Sequence, residues 1–296
     1  MGERMKPLIS VVTPSYNQGR FIRATIESVV GQGALVEYVI MDGGSTDETL
    51  SILREYGDRL RWVSEPDRGQ AHAVNKGIRA TAGEIIGWLN SDDVYMEGAL
   101  ARVLAFYEEH PDCDVLYGRA WHVDEEGKFI EEYPTEPWNL ERLKEVCFLS
   151  QPAVFFRRRV VEKFGLLDES LQYCMDYEYW LRLGMGGARF CYLQEVLAAT
   201  RFYSETKTLG QRLAVHREIN DMLRRRLGRV PDRWLFNYAH AWAEGQGIDR
   251  AREPRRFVGA LARRSLWAAW HWNKRVTPVM LVTLARWYGR ANRFVS

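Results

Sequence analysis

Strand and helix signals alternate across residues 1–100, and that alternation restricts the chain to an α/β architecture built on βαβ units. Residues 8–13 form a β-rich run, residues 20–30 have helical spacing, and residues 37–41 are strand-like again. A helix is expected after Ser45-Thr46-Asp47-Glu48, where Ser45 and Glu48 stand at capping-box spacing. Residues 60–63 then read as strand, 70–80 as helix, and 84–89 as a buried strand. Further on, residues 112–133 suggest a hairpin around Glu125-Glu126-Gly127-Lys128, and residues 146–156 cross another β-rich stretch. From residue 208 the spacing is helical, and past Pro231 the chain stays helical and rich in Trp and Arg.

In an open sheet of this kind, ligands sit at the carboxyl ends of the strands. Four polar clusters follow predicted strands: Thr13-Pro14-Ser15-Tyr16-Asn17, Asp42-Gly43-Gly44-Ser45-Thr46-Asp47, Glu65-Pro66-Asp67-Arg68-Gly69-Gln70 and Asn90-Ser91-Asp92-Asp93. Converging, they would make one crevice. The paired carboxylates Asp92 and Asp93 suit a hard divalent cation, Mg2+ or Mn2+, which takes oxygen ligands and shares its shell with substrate phosphates. Asn, Ser and Asp are also the ordinary residues of a solvated turn or helix cap, so this motif alone leaves both readings open.

Charge is distributed unevenly. Ten Lys or Arg and one Glu fall between residues 251 and 296, giving +9 there and −7 over the other 250 residues for a formal total of +2. An anionic surface is the expected partner of such a tail. Residues 257–294 interleave Trp267, Trp270, Trp272 and Trp287 with arginines and lysines, the composition of a helix lying in a membrane interface. The alternative is a helical pair packed on the catalytic domain with a solvated basic face. No stretch approaches the roughly 18 apolar residues of a spanning helix. Four scattered cysteines without a CxxC pair, and a start without a signal-peptide core, favour a reducing, cytosolic setting, peripheral on the inner face of the membrane. Nucleic acid is not an expected partner, because the larger part is net acidic and holds no recognition motif.

Taken together the motifs resemble family 2 glycosyltransferases of the GT-A fold, over about residues 8–205. Besides the four clusters, the resemblance rests on Asn75-Lys76-Gly77, Gln151-Pro152-Ala153-Val154-Phe155-Phe156 and Met175-Asp176-Tyr177-Glu178-Tyr179-Trp180-Leu181-Arg182. It implies a Rossmann-like mixed sheet flanked by helices and a catalytic domain over residues 1–207, in nucleotide-sugar and acceptor halves meeting near residue 100; the helical spacing beyond it marks a helical extension over 208–296. It also implies inverting transfer from a nucleotide-diphosphate sugar, UDP-linked, to a glycan or lipid-linked acceptor in surface polysaccharide synthesis, with Mn2+ or Mg2+. Donor contacts are expected from Thr13, Pro14 and Tyr16, from Asp42 to the N3–H of uracil, and from Asp67, Arg68, Lys76, Asn90, Asp92 and Gln151. Asp92 and Asp93 are the expected metal ligands.

Inversion requires one carboxylate to take the acceptor hydroxyl's proton, and Asp176 is the expected base with Glu178 as its rival. Both are also placed where a helix N-terminus favours an acid. The chain departs from the family pattern at Asn90, first position of the usual Asp-x-Asp, at Met175, beside the base, and at Tyr203, where many relatives carry His. Residues 201–207 resemble the segment that closes over the diphosphate, with Arg201 or Lys207 as clamps. Two other readings remain: a catalytically decayed sugar-nucleotide-binding or scaffold module, and a nucleotidyltransferase. The latter wants a basic Gly-rich loop that residues 13–19 lack.

Overall fold

The computed structural model describes residues 9–33, 36–203 and 210–293. Its first part runs β1 (Ile9–Ser15), α1 (Gly19–Val30), β2 (Val36–Asp42), α2 (Thr49–Glu55), β3 (Arg61–Ser64), α3 (Gln70–Arg79) and β4 (Ile85–Trp88). Each strand is followed by a helix because the apolar period switches from two to 3.6. On α1 the buried positions Ile22, Thr25, Ile26 and Val29 fall on one stripe. Fully burying Ile22 and Ile26 contributes about 1.5–3 kcal/mol each relative to exposure. Gly77 lets α3 lie close on β1: a methyl carbon there would come 2.3 Å from Val12 Cγ1.

After β4 come β5 (Val94–Tyr95), α4 (Ala99–Glu109), β6 (Val115–Val123), β7 (Phe129–Glu132), α5 (Leu140–Glu145), β8 (Val154–Arg157), α6 (Arg158–Phe164), α7 (Met175–Met185) and β9 (Phe190–Arg201). The sheet order is β3-β2-β1-β4-β8-β6-β9-β5, with β7 paired to β6. Strands β3, β2, β1 and β4 are mutually parallel, and β8 runs antiparallel to both β4 and β6. Since β2 and β3 lie on one side of β1 and β4 on the other, the strand order reverses between β1 and β4. In open sheets such a reversal marks where a crevice forms at the carboxyl ends of the strands.

The expected β-rich stretch at 146–156 is mostly not strand. A 3-10 turn, Gln151–Ala153, precedes β8, and Pro152 within it has no N–H to give a ladder. Glu48 is the N-cap of α2 but makes no side-chain cap bond. Instead Asp47 Oδ1 accepts the Thr49 N–H at 3.0 Å, because the Ser45 hydroxyl is committed elsewhere. The expected capping box is therefore absent.

The chain divides into two compact units, Met1–Leu140 with Cys147–Tyr203, and Glu141–Val146 with Ser204–Ser296. The second unit holds α8 (Arg212–Leu227), α9 (Asp232–Gly245), α10 (Pro254–Ala268) and α11 (Pro278–Arg293), with a π-helical turn, Ala269–Asn273, between the last two. Ala239, Ala243, Phe257 and Leu261 form its core, joined by Trp242 and Trp287. Among the described residues no helix is long and apolar enough to cross a membrane.

Candidate active site

The loops after β1 and β2 are tied into one piece. Asp42, 1% exposed at the end of β2, accepts the N–H groups of Gly44 (3.0 Å) and Ser45 (2.9 Å) and the hydroxyls of Ser45 and Ser64. The Ser45 hydroxyl oxygen in turn accepts the Asn17 N–H at 2.7 Å, and Asn17 Oδ1 accepts the Thr46 N–H at 2.9 Å. Asp47 Oδ2 receives the Gly19 N–H at 2.9 Å. Burial opposes ionisation of Asp47, but the Thr49 side chain and the Gly19 and Thr49 N–H groups hold its carboxyl below the ordinary range. With four donors converging on its two buried oxygens, Asp42 shapes the loop.

Thr13 is fully buried with its hydroxyl 3.1 Å from that of Tyr38, so only its backbone lies near the crevice, as for the buried Pro14. The ladder from β1 to β4 reaches Val12↔Trp88, whereas the ladder to β2 continues to Ser15↔Asp42. The edge of residues 13–15 toward β4 thus lies beyond the paired register, and Pro14 presents no unsatisfied N–H there. Tyr16 is 61% exposed. A methyl carbon on Gly43 would fall 2.8 Å from Asp67 Oδ2 and 3.4 Å from Tyr16 Cδ2, so the bare glycine lets both this carboxylate and this ring come close to the loop. Asp67 is half-buried, and its other oxygen accepts the Gly69 N–H at 2.7 Å.

At the end of β4 the four residues of the acidic motif do different things. Asn90 Oδ1 accepts Gln70 Nε2 at 2.7 Å and the Trp88 indole N–H at 2.9 Å, while Asn90 Nδ2 donates to Gln151 Oε1 at 2.9 Å and Asp93 Oδ2 at 3.3 Å. Gln151 donates back to the Trp88 carbonyl at 2.5 Å. Both amides are engaged at each end, and through these bonds Asn90 and Gln151 brace the turn. Asp93 is 2% exposed and also accepts the Arg201 N–H at 3.2 Å. Burial, and then the neighbouring Asp92 charge, push its carboxyl well up. Of the expected metal pair only Asp92 is partly exposed, with its Oδ2 accepting the Tyr203 hydroxyl at 3.0 Å. Burial and the Asp92 charge keep that phenol protonated.

Lys76 pairs with Glu65, whose carboxyl is held down by that bond, and Arg68 pairs with Glu169 at 2.5 Å. Neither cation is committed to the crevice. Asn75 donates to the Leu167 carbonyl and Glu169 Oε1 and accepts the Leu167 N–H, each at 3.0 Å. Gln172 Oε1 would lie 3.1 Å from a methyl carbon on Gly69. These contacts fasten the segment before α7 against the loop that carries Asp67.

Asp176 is half-buried in the first turn of α7. Its charge adds to burial in raising the thiol of Cys147 and, behind burial and Cys147, the phenol of Tyr133. The rival, Glu178, is 1% exposed and grips Arg182 through both oxygens at 3.0 and 3.1 Å. It is a structural ion pair. Met175 is 3% exposed and packs inward.

Sequence reading named no role for Gln70, Ser64, Gln172, Tyr133 or Thr25. Thr25 is fully buried on α1, and its hydroxyl reaches the carbonyls of both Ser91 (2.9 Å) and Asp93 (2.8 Å), holding the turn that carries Asp92. Its only local signal is a polar residue on an otherwise apolar stripe. Ser204 to Lys207 of the expected closing segment lie outside the described residues; Arg201 is 8% exposed and donates to the Glu125 carbonyl at 2.7 Å. Among the described residues no three His, Cys, Asp or Glu side chains cluster as a metal cage.

Residues 10–165 match the family described as Glycosyl transferase family 2. An uncharacterized glycosyltransferase of Rickettsia felis is 28% identical over 215 residues, 67% of this chain but 35% of that protein, so the chain spans about a third of that relative. Residues 1–349 of Staphylococcus aureus TarS, in complex with UDP-GlcNAc, superpose with a TM-score of 0.60 at 19% identity, over 89% of this chain and 81% of that one. The mannosyltransferase PcManGT of Pyrobaculum calidifontis, in complex with GDP-Man and Mn2+, gives 0.60 at 18% identity, over 97% and 81%. With its mixed sheet, the strand-order reversal between β1 and β4 and the match across more than half its length, the chain belongs to glycosyl transferase family 2 and has the GT-A architecture.

Proposed function

We propose that the crevice transfers a sugar, with inversion, from a uridine-diphosphate donor to a hydroxyl of a glycan or lipid-linked acceptor in surface polysaccharide synthesis. The observation that carries this reading is how the carboxylates divide. Asp42, Asp93 and Glu178 are 1–2% exposed and bonded inward, while Asp67, Asp92 and Asp176 are partly exposed. Asp67, facing Tyr16 across Gly43, accepts the base N–H with the Tyr16 ring alongside. Asp92 is the protein ligand for a divalent cation; one carboxylate fits Mg2+ or Mn2+, which complete their shells with phosphate oxygens and water. Bound there, the cation stabilises negative charge on the departing diphosphate. Asp176 takes the acceptor's proton as its oxygen bonds to the anomeric carbon and the bond to the diphosphate breaks.

Asn90 supports catalysis rather than decay. An ionised aspartate in its place could not donate to Gln151 and Asp93, and would set a third carboxyl beside Asp92 and Asp93. The bound UDP-GlcNAc and GDP-Man of the two structural neighbours support a nucleotide-sugar donor, and Mn2+ in one supports the cation.

The test is thermal shift with UDP-, GDP- and dTDP-sugars, each with and without Mn2+, followed by donor hydrolysis. A UDP-sugar with Mn2+ raises the melting temperature most, and Asp176→Asn keeps that shift while turnover falls by about 10²–10⁴. Stabilisation by a GDP-sugar alone would reject the uridine assignment. Undiminished turnover in Asp176→Asn would reject the base.

A further inference from the structure

The helical unit refines where a basic, Trp-rich tail can meet a partner. Trp272 is buried and donates to Asp221 at 2.7 Å, Trp287 packs against Phe236 and His240, and Trp267 lies beneath the Arg264 guanidinium at 4.0 Å. Three of the four tryptophans are therefore engaged within the unit. Trp270 is not among them: it is 64% exposed in the π-helical turn. On α11, Met280, Leu284 and Ala291 are buried, leaving Val279 (69% exposed), Leu281 (53%) and Val282 (50%) outward in its first turns and Tyr288 (52%) further along. Lys274, Arg275, Arg286 and Arg290 are exposed around them, and no Asp or Glu follows Glu253 in the chain. Arg275 also lines a cavity of about 370 Å³ with Arg224, Arg229 and Asn273.

We infer that the exposed side of α11, with Trp270 and Arg275 from the turn that leads into it, docks on an anionic lipid bilayer. Exposed aliphatic side chains bordered by basic ones match the acyl boundary and the headgroup phosphates of an interface, and Trp and Tyr favour that depth. A nucleic acid would use the cations but gain nothing from Val279, Leu281 and Val282. A second copy would set these arginines against each other with no acid on this stretch to receive them. The inference does not depend on the transferase reading.

The full chain is floated with phosphatidylcholine vesicles containing or lacking phosphatidylglycerol, and tryptophan emission is recorded. Binding is expected only with phosphatidylglycerol, with a blue shift that Trp270→Ser reduces. Val279→Asp with Val282→Asp weakens binding by at least about tenfold, as does Lys274→Glu with Arg275→Glu. Both positions of the first pair are open to solvent, so an unchanged melting temperature is expected; Trp270→Ser reads the same surface through one exposed residue. Equal binding to neutral vesicles, insensitivity to Val279→Asp with Val282→Asp, or tight capture of polyglutamate in place of lipid would each overturn the inference.

Discussion

Asp42 at the end of β2 is 1% exposed and receives four hydrogen bonds from its own and neighbouring loops, whereas Asp92, just past β4, is partly exposed with the Tyr203 hydroxyl on Oδ2. Both stand at the carboxyl ends of parallel strands that flank β1, yet one carboxylate is closed in by its own loop and the other stays partly open to solvent. The difference lies in how each turn is held. After Asp42, Gly43 and Gly44, the latter at φ 86°, curl the backbone N–H groups back onto the carboxylate. After β4, hydrogen bonds of the Asn90 side-chain amide with Gln70, Trp88 and Gln151, together with the Thr25 hydroxyl, hold the turn from outside.

This contrast is broken most directly by removing each carboxylate. Asp42→Ala leaves four donors facing a void and should cost about 3–5 kcal/mol, lowering the melting temperature by roughly 10 °C. Asp92→Ala should leave the melting temperature within roughly 2 °C and cut turnover by at least about 10²-fold. Melting curves and donor hydrolysis on the two variants side by side check both. If Asp92→Ala unfolds the protein, or Asp42→Ala merely slows it, the assignment of wall and ligand is reversed.

Much of this was legible beforehand. The alternating periods marked the strands and helices of residues 9–88, and the four polar clusters fall at the ends of β1, β2, β3 and β4. What sequence could not supply was side-chain direction: Asp42, Asp92 and Asp93 are the same residue type in similar polar contexts, and only packing decides which is buried. Thr25 was unreadable for the same reason, since its two acceptors lie 66 and 68 residues away. The β8 region was misread because residues 146–156 have β propensity while Pro152 interrupts the ladder. In the tail, Trp composition was visible, but which tryptophans turn inward was not.

A gentler probe is Asn90→Asp, which restores the carboxylate common in the family. In this chain it removes donors to Gln151 and Asp93 and adds a charge beside a buried carboxyl. A loss of about 2 kcal/mol is expected, with no gain in turnover. Urea melts with and without Mn2+ read it. Recovery of full stability by the metal would mean that position 90 can join the coordination shell, narrowing the contrast. Thr25→Val keeps the shape of the side chain and removes the shared hydroxyl. It should cost about 1–2 kcal/mol and raise the Mn2+ concentration needed for half-maximal rate, whereas a purely structural role would leave that concentration unchanged.

Tyr203 is the smallest lever and the most discriminating. Its ring packs on Phe21 at a centroid distance of 5.0 Å, so Tyr203→Phe preserves the packing and deletes only the hydroxyl, which donates to Asp92 and also bonds the Gln18 side chain. The cost in stability should be about 1 kcal/mol or less. Asp92 then loses one donor that orients it, and the half-saturating Mn2+ should rise by about threefold with turnover at saturating metal nearly unchanged. A fall instead would mean that the phenol competes with the cation for the carboxylate. In that case the contrast with Asp42 would be sharper still, because even the bond seen on Asp92 would be one that the cation displaces.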